Sequence, residues 1–271
     1  MVAAGLSGPA RASAGAVRDH VLGVQMLNSK AELLSFGGQV MKNVAGYDMS
    51  RLMAGSLGTL GVLTEVSLKV LPLSTAQATL LFEFDQAAAL RQLNDWGRLP
   101  LPLNASCWVP REGRGRLQVR LRGAQAAVLA ACQSMGGERL DEAEANSDWA
   151  ALREQTLPFF ACVDDHSLWR LSVPDTSPPL RLDVAPDGGL VEWGGALRWV
   201  KAASDVAVRL REAVGAVGGT ATLFRQALRQ APQGQPVFHP LSAALRHIHQ
   251  DLKKQFDPAG LFNRGRLYAD L

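Results

Sequence analysis

The sequence predicts an α+β fold in two parts. Two observations carry this. From Ala76 onward, alternating strand-like runs and helical runs follow the order β-α-β-β-α-β, which is the ferredoxin-like arrangement. Before Ser74 the texture differs: short strands surround glycine-rich joints, with Gly55, Gly58 and Gly61 falling at every third position. A chain of 271 residues has room for one large domain or two modest ones.

The elements follow in order. "VLGVQML" and "AELLSF" read as two strands around the turn "NSK". "DMSRLMAG" reads as a short helix with Asp48 or Ser50 as its cap and Gly55 as its stop. Residues Val62 to Val70 alternate as a strand that Pro72 ends. "AQATLLFEFD" is a strand, "QAAALRQLNDWG" a helix, "NASCWVP" and "GRLQVRLRG" strands, "AQAAVLAACQSMG" a helix and "GERL" a short strand. A helix at "SDWAALREQ" follows within the polar stretch 141–156. "HSLWRLSVP" and "LRLDVAP" read as strands, and "LVEWGGALRWV" as a hairpin pivoting on Gly194 and Gly195. "SDVAVRLREAVGAVGG" is a capped helix with a glycine stop, "TATLFR" a strand and "HPLSAALRHIHQDLKKQF" a last helix. The expected division is 1–73, 75–235, and a tail, 236–271, that returns to the first part.

Composition narrows the function classes. Apolar residues make up 47%, charged residues 20%, and the net charge is +3, with the arginines scattered. No basic block exists, so nucleic acid is not an expected partner. Cys107, Cys132 and Cys162 are few and far apart, so neither a zinc nor an iron–sulfur site is expected from this chain. Reduced, packed thiols in a cytoplasmic protein are expected instead. No apolar run approaches the ~20 residues of a membrane span. "MVAAGLSGPARASAG" lacks the basic start of a signal peptide and reads as the middle of a domain.

The glycine joint departs from a Rossmann fingerprint. Its spacing is GxxGxxG and its order is helix, loop, strand, so no helix N-terminus faces it. A nucleotide here would meet backbone N–H and C=O groups left unscreened by glycine. The same spacing is met by a joint that only packs helix against strand. "AAGLSGPA" has the same double reading: Gly5, Ser7 and Gly8 offer backbone and a hydroxyl to an anion, or they make a plain turn.

Beyond single residues, "VRDHVLG", "KNVAGYD" and "GSLGTLGV" occur in the order found in the second half of the FAD domain of the vanillyl-alcohol-oxidase/PCMH family. "EWGGALRW" and "FDPAGLFNRGRLY" also resemble one branch of it, the smaller FAD-binding subunits of bacterial glycolate oxidases. The resemblance implies the C-terminal half of a PCMH-type FAD domain followed by a ferredoxin-like cap domain. It implies FAD lying along the backbone of Ala4, Gly5, Leu6, Ser7, Gly8, Gly58, Thr59, Leu60, Gly61 and Val62. It implies oxidation of glycolate, a 2-hydroxy acid, with a larger FAD-binding subunit and an iron–sulfur subunit as partners. The place implied is the cytoplasm, or the inner membrane reached through that complex. Family members carry a further FAD subdomain upstream. Leu57 stands where many catalytic relatives have a Glu, in "GSEGTLG". The alternative is a structural subunit with a vestigial flavin site and no redox work.

Oxidising a 2-hydroxy acid needs a cation for the carboxylate and a base for the hydroxyl proton. Arg198, Arg264 and Arg266 are candidate cations, because a guanidinium meets a carboxylate bidentately. His239, His247 and His249 lie near the last helix, but each fits a capping or surface role as well. No catalytic base is assigned, and no metal site. Asn263 and Arg266 resemble the family's terminal turn near the flavin ring; the same tail is also accounted for by packing of Phe262 and Tyr268. Trp193 and Trp199 are expected in the core.

Overall fold

The computed structural model describes residues 1–38, 47–111, 114–161, 166–180, 182–183, 189–227 and 236–271. Most of "KNVAGYD", Cys162, and most of "LRLDVAP" lie outside the described residues. The chain forms two compact units. One comprises Met1–Ser7, Gly15–Pro72 and Pro236–Leu271; the other comprises Gly8–Ala14 and Leu73–Gln235.

The first unit is built on a three-stranded antiparallel sheet, β1 (Val21–Leu27), β2 (Leu33–Gly37) and β3 (Val62–Leu68), with β1 in the middle. Central position fits its sequence: β1 is the most apolar of the three, and Val21, Val24 and Met26 are buried. Gly23 is needed because a Cβ there would lie 2.4 Å from the Gly38 nitrogen. The short helix Met49–Leu52 starts where Asp48 accepts from the Arg51 N–H at 3.1 Å. The core joins Val2, Met53 and Leu60 to the β1 side chains, with Leu252 and Phe256 of the C-terminal helix Ala243–Phe256 packed against it.

The second unit carries one eight-stranded sheet. Its first part runs β4 (Ala76–Phe84), α1 (Gln86–Gly97), β5 (Leu103–Val109), β6 (Gly115–Gly123), α2 (Gln125–Met135) and β7 (Glu138–Arg139). The observed order β5-β6-β4-β7, all antiparallel, is that of a ferredoxin-like unit. Then come α3 (Glu142–Glu154), β8 (Ser167–Ser172), β9 (Leu190–Glu192), β10 (Leu197–Ala202), α4 (Ala207–Gly215) and β11 (Thr220–Arg225). Their order, β11-β8-β10-β9, repeats the same interlacing. The two halves meet where β5 pairs with β9, Cys107 opposite Glu192 and Trp108 opposite Val191.

Three clusters form the core of this unit. Leu80, Leu117, Val119 and Leu121 face α1 and α2, while Trp169, Leu171, Val200 and Ala221 face α4. On the opposite face α3 packs Trp149 and Leu152 over Cys107, Leu168, Leu197 and Trp199. Trp193 and Trp199 are both buried, as expected.

Two elements differ from expectation. The helix expected from Ser147 starts instead at Glu142. Asp141 caps it, accepting from Ala143 at 2.9 Å and Glu144 at 3.2 Å, and Glu142 and Glu144 suit the positive end of the dipole. The helix α4 has no side-chain cap; a 3-10 turn at Ser204–Val206 leads into it.

Candidate functional site

In the first unit the two glycine-rich segments lie against each other. Gly5 adopts φ +63, and a Cβ on it would lie 2.9 Å from the Gly55 Cα. Val2 accepts from the Gly55 N–H at 3.1 Å, and Ala3 from the Leu57 N–H at 2.8 Å. Two glycines in left-handed or close-contact positions thus let two backbones touch with no side chain between them.

The residues of the joint divide into two kinds. Thr59, Leu60 and Gly61 are buried and serve the fold. Thr59 Oγ1 donates to the Ser56 carbonyl at 2.7 Å, and Leu60 enters the core. A Cβ on Gly61 would lie 2.4 Å from Met26 Cε and 2.6 Å from the Leu27 carbonyl. Ala4, Leu6 and Val62 are exposed, while Gly5, Ser7 and Gly58 are half-buried. Gly8 is exposed and belongs to the second unit. Among the described residues, the backbone N–H groups of Ser7, Gly58 and Leu60 have no acceptor. Ser7 Oγ is buried and has no hydrogen-bond partner. An orphaned hydroxyl and undirected N–H groups beside a glycine cradle are what a phosphate-bearing ligand requires.

We expect Gly61→Ala to destabilise this unit by about 1–3 kcal/mol through overpacking. Gly97→Ala is the control, since nothing lies within 4 Å of a Cβ there. Urea denaturation of both variants measures the difference.

The C-terminal tail is locked onto the joint by a cluster that sequence reading did not single out. Lys253 Nζ donates to the Thr59 carbonyl at 2.8 Å, the Phe262 carbonyl at 2.6 Å and Asp257 Oδ2 at 2.6 Å. These use all three ammonium donors. Asp257, 2% exposed, also accepts from the Leu261 and Phe262 N–H groups at 2.9 and 2.8 Å. Burial pushes its carboxyl up, but the Lys253 and backbone hydrogen bonds outweigh that and bring it down to about 2. Asn263 Nδ2 then donates to the Leu57 carbonyl at 2.6 Å. The tail "FDPAGLFNRGRLY" therefore reaches the glycine joint itself. The only local hint is the pairing of Lys253 with Asp257 one helical turn on.

The candidate cations and histidines are not gathered there. Arg198 is 1% exposed, and its guanidinium donates to the carbonyls of Gly195 at 3.1 Å, Pro178 at 2.7 Å and Ser177 at 2.5 Å. Burial lowers it to about 10. It is a structural tie, spent on backbone, and it is not a carboxylate clamp. Arg264 and Arg266 are exposed. His247 Nε2 stands 3.3 Å from Asp251 on the open side of its helix, His249 meets the edge of Tyr268, and the His239 carbonyl accepts from the Tyr268 hydroxyl at 3.0 Å. No described residues form a cluster able to hold a metal ion. Cys107 is buried, and burial, then Glu192 and Asp148, pushes its thiol up, so it is packing rather than a nucleophile.

No family model matches the chain. It is 45% identical over all 271 residues to the glycolate oxidase subunit GlcE of Escherichia coli, and covers 71% of that protein's length. Over 78 residues it is 38% identical to the glycolate oxidase subunit GlcD of Bacillus subtilis, 29% of this chain and 17% of that one. Among solved structures, an alkyldihydroxyacetonephosphate synthase superposes with TM-score 0.57 at 12% identity, covering 96% of this chain and 56% of that one. A BBE-like protein of Physcomitrella patens gives TM-score 0.52 at 14% identity, covering 97% of this chain and 68% of that one. The chain thus spans little more than half of that synthase, and the two superpositions speak for the fold.

Proposed function

The chain belongs to the family of the glycolate oxidase subunit GlcE, and on that premise we propose that it is an FAD-binding subunit of an enzyme oxidising glycolate or a similar 2-hydroxy acid. The observation that carries the FAD assignment is the interlocked pair of glycine loops with the orphaned Ser7 hydroxyl beside them. Ala4, Gly5, Leu6, Ser7 and Gly8 would line one side of the cofactor; Gly58, Thr59, Leu60, Gly61 and Val62 would line the other. Gly58 and Leu60 offer N–H groups to a pyrophosphate, and Ser7 adds its hydroxyl. Lys253 and Asp257 position the Gly58–Thr59 backbone from behind, and Asn263 holds the preceding carbonyl. When bound, FAD supplies the two-electron acceptor that alcohol oxidation needs.

The division into a flavin part, 1–73, a cap, 75–235, and a returning tail, 236–271, is part of this reading. So are the partners. A GlcD-like larger FAD subunit would carry the main substrate chemistry, and an iron–sulfur subunit would take the electrons. The described histidines offer no poised base on this chain, which supports placing the proton abstraction elsewhere. No helix among the described residues is long and apolar enough to cross a membrane. The proposed place is the cytoplasmic side, with any contact to the inner membrane made through the complex.

A second reading has one observation in its favour. Leu57 puts no carboxylate at the joint, and its carbonyl is taken up by Asn263. A structural subunit without redox work would tolerate that. The visible absorption spectrum of the purified protein separates the two. Flavin bands, with FAD released on denaturation, are expected. A colourless protein, both as this chain and as an upstream-extended form, leaves the structural reading standing.

A further inference from the structure

The second unit holds a cavity of about 360 Å3 that the proposed flavin site does not use. That size is at the lower end of the range for small-molecule sites. Helix α1 forms one wall with Leu93 and Asn94, strands β5 and β6 another with Ala105, Ser106 and Val119, and Trp193 a third. Every residue lining it belongs to the second unit. Two departures from regular geometry shape it. Strand β5 carries a bulge: Leu103 pairs with Leu121 and Ala105 with Arg120, so Asn104 is the extra residue. Asn104 is fixed there, its Oδ1 accepting from Arg120 Nε at 2.7 Å and its Nδ2 donating to Ser13 Oγ at 3.0 Å. Trp193 stands at φ +55, a sparsely populated region for a bulky residue, and its Nε1 donates to the Gly8 carbonyl at 3.1 Å.

Two groups in the lining have hydrogen-bonding capacity to spare. Ser106 is 7% exposed; its Oγ accepts from the Gly194 N–H at 2.9 Å and donates to no described residue. Asn94 Nδ2 donates to the Leu90 and Asp175 carbonyls at 2.9 and 3.3 Å, which uses both its hydrogens, and its Oδ1 accepts from no described residue. A buried hydroxyl with an unspent proton calls for a partner that the described chain does not supply. The buried lining carries no charge, and the charged side chains beside it, Arg98 and Asp175, are exposed and opposite in sign.

We propose that this cavity binds a small uncharged molecule with an apolar body and an amide-type edge, a carbonyl beside an N–H. The Ser106 hydroxyl donates to the carbonyl, and Asn94 Oδ1 accepts from the N–H. Leu93, Ala105 and Val119 take the apolar body out of water. An anion of the same shape is disfavoured, because it would shed its water without meeting a buried cation. Arg98 does not repay that cost: its side chain is 79% exposed and already faces Asp95 at 3.9 Å. The site stands apart from the flavin reading and does not depend on it.

The test is isothermal titration of the purified chain with benzamide and, separately, with benzoate, which has the same shape and a negative charge. The variants are Gly97→Leu and Ser106→Ala, with circular dichroism to check folding. Gly97 lines the cavity, and nothing lies within 4 Å of a Cβ there, so a leucine has room to extend into the space a ligand would take. Benzamide should bind the wild type, and benzoate should bind about tenfold more weakly or worse. Gly97→Leu should weaken benzamide about tenfold or more by filling the cavity. Ser106→Ala should weaken it by about two- to tenfold, the range for one hydrogen bond. If Ser106→Ala fails to fold because the Gly194 N–H has lost its acceptor, Gly97→Leu carries the test by itself. No benzamide binding by the wild type overturns the proposal. Benzoate binding as tightly as benzamide overturns it too, and so does an unchanged benzamide affinity in either folded variant.

Discussion

Lys253→Ala is expected to lower the stability of the first unit by about 3–5 kcal/mol, the cost of stranding one partner of a buried ion pair. The Lys253 side chain is 12% exposed and that of Asp257 is fully buried. Without the ammonium, Asp257 keeps two backbone donors and loses its only counter-charge among the described residues. The Thr59 and Phe262 carbonyls lose their donor at the same time. For a protein of this size Tm should fall by about 10 °C or more. Asp257→Asn should fall in the same direction. The double variant should cost less than the sum of the two, which a double-mutant cycle reads directly. The pair also sets a pH window. A carboxyl brought down to about 2 in the fold, from the ordinary 3.8, stabilises fully above about pH 4, and that stability drains away as pH falls through 2. Lys253→Ala should flatten that acid limb. Under the proposed function it should also shed FAD, since the tail turn that holds the Leu57 carbonyl is no longer anchored. A variant that unfolds at the wild-type temperature would contradict this account.

The clamp illustrates what the sequence hides. Its ion pair is local, four residues along one helix, but the carbonyl it serves lies 194 residues away, and no pattern in the chain joins Lys253 to Thr59. The first ferredoxin-like unit was legible because each of its elements announces itself: period-two strands, two helices, glycine stops. The second was not. It repeats the same strand order, but pairing β8 with β10 and β11 is a matter of tertiary register that alternation alone does not specify. Arg198 shows the same limit from the other side. A lone arginine beside a hairpin reads as a substrate clamp, and only the folded chain reveals three carbonyls already aimed at it. Arg170 carried a signal that reading passed over, a charge set inside an apolar strand, "SLWRLS". The glycine joint was readable as a place where backbones come close. Its neighbour in space, the Gly5 loop, was suggested by shared composition, and it is the left-handed φ values at Gly5 and Gly55 that make the closeness physical.

Stability should also decline as pH rises from about 4.5 to about 7, and Glu192 is the cause. Its side chain is 5% exposed on β9, opposite Cys107 and Leu197. Burial raises its carboxyl from 4.5 to about 7, against the opposing pull of the Trp199 hydrogen bond and of Arg170. In the unfolded chain the group ionises near 4.5, while in the fold it holds its proton to higher pH. The native state therefore binds more protons across this window, and the sign of the linkage is a loss of stability with rising pH. A difference of 2.5 pH units corresponds to about 3 kcal/mol, present in full below pH 4.5 and gone above 7. Glu192→Gln removes the titration and keeps an oxygen to accept from Trp199 Nε1. It should be close to wild type at pH 4.5 and more stable by about 2–3 kcal/mol at pH 8. Urea denaturation at the two pH values measures both. If Arg170 neutralised Glu192 fully, the carboxylate would be the favoured form and Glu192→Gln would cost stability at pH 8. That result would place the Arg170 charge in a closed ion pair with Glu192.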